Sequence, residues 1–313
     1  MNHFLRATPA RLTEKAAAKL PRLVLVGVGL IYIFAGLFFR DPWKSDDVIG
    51  IATMLTLLDS PKPSQWLLLF IGDFAYTQDG PLATWVGAFS IFVFSPLFKL
   101  FLNPLDAAIT AARLPNILWF GLLTFYFWRA LYLLARTPAA QPLALPFGGE
   151  PNKESYGRMI ADGGLLLLVA TVGIIWRMHE TSAVPLSLTL VAILFFGWVK
   201  MPEQPKKATF IIGLSLAASF FNRALIGFLP LFIASVAVFS SILPYRYFFR
   251  YFLASLFLAF TLIALWWFFA YQQNPTWIQH WQHWQLSQVK GWHWYKLSNS
   301  ARDLLWFLWP TWP

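Results

Sequence analysis

Apolar residues run along the chain in blocks, at 23–39, 81–102, 114–135, 162–177, 183–199, 208–222, 225–243 and 251–270. About 20 residues of helix cross a hydrocarbon core about 30 Å thick. The pattern therefore predicts an all-α, polytopic integral membrane protein with about 8–10 transmembrane helices. Residues 40–80 form the first long non-spanning segment, and within it Asp47 to Leu58 makes an amphipathic helix for the membrane interface. That helix sets Ile49, Met54, Leu55 and Leu58 on one side. The last twelve residues, RDLLWFLWPTWP, read as the start of another span that stops short, the ending expected of an N-terminal portion of a longer protein. The organisation expected is a basic tail over 1–22 and a transmembrane domain over 23–313, with outer loops at 40–80 and 272–300.

Composition supports this reading. Of 313 residues, 58% are hydrophobic and 12% charged, against about a quarter charged in soluble domains. The absence of cysteine excludes disulfides, thiolate metal sites and cysteine nucleophiles. The net charge of +10 is distributed as a topology signal, because the basic residues flank apolar runs. It implies membrane lipids as partners and no nucleic acid. The tail holds Arg6, Arg11, Lys15, Lys19 and Arg22 against Glu14 alone, and no small-residue cleavage site follows the first apolar run. The N-terminus is thus expected in the cytoplasm and residue 40 on the outer face. The loops 136–158 and 200–207 and the turn Arg246 to Arg250 are basic and fall inside on the same rule. Arg177 to Thr181, Asn222 to Ala224 and 272–300 then fall outside, beside 40–80. This scheme needs an odd number of crossings between 81 and 135, where two apolar runs stand. Either 104–135 holds two short spans or one run is re-entrant.

The polar residues at the outer ends are the candidates for chemistry. Asp46 and Asp47, adjacent carboxylates just past the first run, suit a general base or a site for a divalent cation. An acidic loop or a helix N-cap is the plain alternative. Tyr76 and Asp79 precede Gly80-Pro81, where proline suits a helix start and Asp79 a first-turn acid. His179 and Glu180, in a tight turn, are a pair able to bind a metal or relay a proton, or simply stand exposed. Arg223 interrupts an apolar stretch and calls for a polar cavity or a paired anion, phosphate being a natural partner. His280 and His283 share a helical face within a tryptophan-rich end that includes His293. That end carries eight of the 17 tryptophans and reads as an interfacial aromatic belt.

In order, these features resemble the bacterial polyprenyl-phosphate-sugar-dependent membrane glycosyltransferases, the group with the lipid A aminoarabinose transferase and the protein O-mannosyltransferases (glycosyltransferase family 39-like). The residues concerned are Arg40-Asp41-Pro42-Trp43-Lys44-Ser45-Asp46-Asp47, then Met54, and Tyr76 running on to Gly80-Pro81-Leu82-Ala83-Thr84-Trp85. They continue with Ala111-Ala112-Arg113-Leu114-Pro115, Gly213-Leu214 through Asn222-Arg223 to Pro230, and Leu305 to Pro310. The resemblance implies a GT-C fold, a polyprenyl-phosphate-linked sugar donor, a lipid or glycan acceptor, and a bacterial inner membrane with the active face periplasmic. It implies Asp46 as the catalytic carboxylate with Asp47 its neighbour, and Arg223 in place of a lysine near the lipid phosphate. His179 and Glu180 fall in a turn bordering the site. The family's lysine and first proline before the second span are Asp79 and Gly80 here, and Ile49 stands where the family has arginine. These losses of positive charge imply a different donor or acceptor from the aminoarabinose branch. A transporter or flippase using Arg223 as an anion anchor, and a non-catalytic scaffold, are the readings from other classes.

Overall fold

The structure is a computed structural model that describes residues 21–38, 40–43, 45–60, 64–142, 151–241, 243–290 and 294–311. The basic tail over residues 1–20, Lys44, Trp292, His293 and Trp312 lie outside the described residues. Apart from one two-residue β-hairpin, Phe70–Ile71 with Phe74–Ala75, its regular elements are helical. In chain order they are α1 (Arg22–Phe34), α2 (Ser45–Asp59), α3 (Ser64–Leu67), α4 (Leu82–Phe98), α5 (Pro104–Ala135) and α6 (Lys153–Ala170). There follow α7 (Val172–Arg177), α8 (Val184–Lys200), α9 (Pro205–Ser241), α10 (Phe249–Gln273), α11 (Pro275–Lys290) and α12 (Trp294–Leu308).

Among the described residues, three stretches, Pro104–Ala135, Pro205–Ser241 and Arg246–Gln273, are long and apolar enough to cross a membrane; Leu23–Phe34, Leu82–Phe98 and Val184–Lys200 are shorter apolar helices. Large apolar side chains such as Phe125, Phe210 and Phe257 stand exposed on these helices, a surface that lipid covers and water does not. The chain is a helical membrane protein.

α9 is not one rod. Arg223 (φ −135°, ψ 29°) and Ala224 (φ 49°, ψ −136°) leave helical geometry, and the chain doubles back there. Phe220 and Phe228 have ring centroids 6.3 Å apart, and a Cβ on Gly227 would press on the Ser219 carbonyl oxygen. Ile212 packs at Gly197, while Ser235 accepts a hydrogen bond from the neighbouring Trp198 Nε1 at 3.1 Å. In a straight helix, residues 212 and 235 would be about 35 Å apart at 1.5 Å per residue. Residues 205–222 and 225–241 are therefore two antiparallel arms, as the separate apolar runs predict.

Side-chain pairs fix the other directions. α1 runs antiparallel to α5, with Tyr32 stacked on Phe120 at 5.1 Å and Arg113 donating to the Leu37 and Arg40 carbonyls. α6 runs antiparallel to α5 through Trp128–Asp162 and Arg136–Glu154. α8 runs parallel to α5, with Thr189 donating to the Trp119 carbonyl and Tyr126 against Phe196. α10 meets the first arm of α9 at Thr209–Tyr251 and again at Phe220–Trp266. Thus α1, α5, α6 with α7, α8, both arms of α9, and α10 run between two ends. One end gathers Arg136, Arg158, Lys200, Lys206, Lys207 and Arg250; the other gathers residues 40–43, 45–60, 64–80, 177–184 and 222–225 and α11.

The sequence leaves 81–135 open between two short spans within 104–135 and a re-entrant run. α4, formed by the run 81–102, does not reach the basic end. Gly80 N donates to the Asn222 carbonyl at 3.0 Å, and beyond the far end of α4, Leu102 and Asp106 share a cavity with Arg40, Asp41 and Arg113. Asn103 starts α5 there, accepting from Asp106 N with Pro104 in the first turn. α2, α4 and the first turns of α5 pack around Met54, Ala88, Ile91, Ala108 and Ala111.

α11 buries Trp277, Ile278, Trp281 and Gln285 and exposes His280 and His283. Trp277 and Trp281 belong to the largest core cluster with Phe220 and Trp266. Of the tryptophans expected in a belt, Trp277 and Trp281 form a packing face instead, because positions i, i+1, i+4 and i+8 share one side of a helix, whereas Trp306 and Trp309 stand exposed.

Candidate functional site

Asp46 and Asp47 open α2 and, as helical neighbours, point about 100° apart. Asp47 turns inward and is fully buried. Its Oδ1 accepts from Thr181 N at 2.6 Å, and its Oδ2 from Arg113 at 3.2 Å and Arg40 at 3.5 Å. Arg113, also buried, spends its other donors on Thr181 Oγ1 and on the Leu37 and Arg40 carbonyls. The pair ties the end of α1, the start of α2, α5 and the 178–183 turn together. Both its oxygens are held by donors, so Asp47 does not stand beside Asp46 as a second open carboxylate. A divalent cation held jointly by the two does not fit this geometry. Among the described residues, no three His, Asp or Glu side chains are grouped to hold a metal.

Asp46 is about half exposed and receives a hydrogen bond from Arg177 Nη1 at 3.2 Å. The same nitrogen donates to both Glu180 oxygens, at 2.9 and 3.2 Å. Glu180 is fully buried; burial raises its carboxyl above the ordinary value, and Arg177 works against that rise. His179 is buried as well, its ring nitrogens against the Ile175 and Tyr32 carbonyls and its own carbonyl accepting from Arg40. These contacts hold the turn in place behind the site.

Asp46 rims a narrow cleft with about 480 Å³ of empty space, its open mouth included. Ile49, Thr53, Tyr76, Asp79, Ala83 and Arg223 are among the residues lining it. Asp79 accepts from Tyr76 Oη at 2.8 Å and from Arg223 Nε at 3.0 Å. Burial, then the charge of Asp79, raises the Tyr76 phenol well above its ordinary value, so it stays a neutral donor. Only Nε of the Arg223 guanidinium is engaged: its two terminal nitrogens have no hydrogen-bond partner among the described residues. Arg223 sits at the turn between the arms of α9, at the end of the bundle rather than halfway along it. Ala224 has a positive φ there, which costs a non-glycine residue about 1–3 kcal/mol. Gln285 secures the turn, accepting from Leu225 N and donating to the Thr77 and Gln78 carbonyls. Gly80 is required beneath it, since a Cβ there would overlap the Phe221 carbonyl.

Of the residues singled out in the sequence, Asp46, Tyr76, Asp79 and Arg223 share one cleft. Asp47, His179 and Glu180 stand behind it. Arg177 and Gln285 were given no role in the site; Arg113 entered only within the Ala111–Pro115 resemblance, although at the head of an apolar run it carried the signal of a charge that must be paired. Comparison with family models, curated proteins and solved structures gives no match.

Proposed function

We propose that this chain is a membrane glycosyltransferase of GT-C type. It moves a sugar from a polyprenyl-phosphate carrier to an acceptor on the outer face of a bacterial inner membrane. The seven end-to-end segments are its crossings, fewer than the eight to ten expected, with the basic end in the cytoplasm. One observation carries the reading. An accessible carboxylate, Asp46, and the Arg223 guanidinium, whose two terminal nitrogens have no hydrogen-bond partner among the described residues, line the same cleft from positions 177 apart in sequence. Displacement of a lipid phosphate from an anomeric carbon calls for this pair.

In the proposed reaction Asp46 takes the proton of the acceptor hydroxyl as its oxygen attacks the anomeric carbon. The bond from that carbon to the phosphate oxygen breaks, and the lipid phosphate leaves with the electron pair. Arg223, aimed by Asp79, stabilises that charge with its terminal nitrogens. Asp47, His179 and Glu180 position rather than react.

Native mass spectrometry of the detergent-solubilised protein with undecaprenyl phosphate and a panel of undecaprenyl-phosphate sugars tests the donor side. Wild type retains a lipid-linked sugar, and Arg223→Ala weakens retention about tenfold or more. A wild type that retains no carrier refutes the donor assignment.

A further inference from the structure

The hairpin made by α4, residues 99–103 and the start of α5 has an inverted surface. Phe89, Phe92, Val93, Leu97, Leu100 and Phe101 are exposed, Phe101 by 82%. Ser90 and Ser95, on the same stretch, are buried, and Ser90 donates to the Ala111 carbonyl. A helix that faces water shows the opposite arrangement, polar residues out and apolar residues in. Large apolar side chains along one side of α4 and around its tip form a patch of the kind that marks contact with a membrane or partner. Yet α4 does not reach the basic end, because Leu102 and Asp106 lie beside Arg40 and Asp41.

We propose that this hairpin is a monotopic element, embedded in the leaflet on the cleft side without crossing the bilayer. Charge supplies a second argument. With α4 as a crossing, residues 136–158, 200–207 and 246–250 could not share a side with the basic N-terminal tail, because an odd number of crossings would then separate them from it. With α4 re-entrant, all four basic segments fall on one side. Lys99 and Asn103, at the tip, then reach headgroup level on the cleft side. The first turn of α4, Ala83 and Thr84, lines the cleft, so a wall of the cleft is continuous with an element held by lipid.

The chain contains no cysteine, so single cysteines report cleanly. In sealed proteoliposomes, an impermeant thiol reagent is applied to Lys99→Cys, with Asp73→Cys marking the cleft end and Gln204→Cys the basic end. Nitroxide labels on Phe92→Cys and Phe101→Cys are read for collision with oxygen and with a water-soluble nickel chelate. Lys99→Cys should label from the same side as Asp73→Cys, and both nitroxides should favour oxygen over nickel by about tenfold. Labelling of Lys99→Cys from the Gln204 side would make α4 an ordinary crossing and overturn the proposal. Nickel-accessible nitroxides would put the hairpin in water, and nitroxides shielded from both would put a protein partner or second copy on it; either result also overturns it. None of these readouts depends on the transferase reading.

Discussion

Asp47 and Arg113 meet at 3.2 Å with essentially no solvent contact. A buried ion pair adds little net stability over an apolar replacement, but removing one partner strands the other charge at a cost of about 3–5 kcal/mol. Asp47→Ala should therefore destabilise by about that amount, read as a lowered thermal midpoint in detergent; an unchanged midpoint would deny Asp47 its structural role. Glu180 makes a prediction of different sign. The folded chain holds its proton more tightly than the unfolded chain, since burial raises the carboxyl above 4.5. The associated stability is complete below pH 4.5 and is lost as pH rises through the raised value. Across that window the wild-type midpoint should fall relative to Glu180→Gln, and parallel profiles would contradict the assignment. At this scale the sequence revealed which residue types matter but not their division of labour. Asp46 and Asp47 are indistinguishable as neighbours in a string, and only the helical turn of about 100° sends one to the cleft and the other to Arg113.

Among the elements, the apolar runs were legible because lipid demands them, and the break at Asn222–Arg223 was visible as a polar interruption between two such runs. The direction of the chain after each run was less accessible. α4 has the composition of a span and the length of a short one, and contacts with α2 and α5 return its far end to Arg40. The tryptophans of α11 show a similar limit. Composition placed them at an interface, whereas tertiary packing inserts Trp277 and Trp281 against Phe220 and Trp266 and uses Trp277 Nε1 to hold the Leu69 carbonyl. Glycine positions were equally silent in the sequence. Gly50 brings α2 against the 178–183 turn, where a Cβ would overlap the Thr181 carbonyl, and that approach is what lets Asp47 reach Thr181 N.

For the whole molecule, one end carries the basic loops and the other the cleft, whose lining comes from α2, the 76–80 loop, α4, the turn before α8 and the bend in α9. Five separate stretches converging on one small space give the cleft its claim to function, and that convergence could not be read from spacing along the chain. The resemblance pointed to Asp46 and Arg223, and the fold puts both at the same opening. The most direct test is the release of polyprenyl phosphate from a polyprenyl-phosphate sugar in membranes containing the wild type or Asp46→Asn, at matched folded protein. Wild type should release the carrier, with a loss of about 10²-fold or more in the variant, the range for removing a general base. An Asp46→Asn protein that releases the carrier at the wild-type rate would contradict that role.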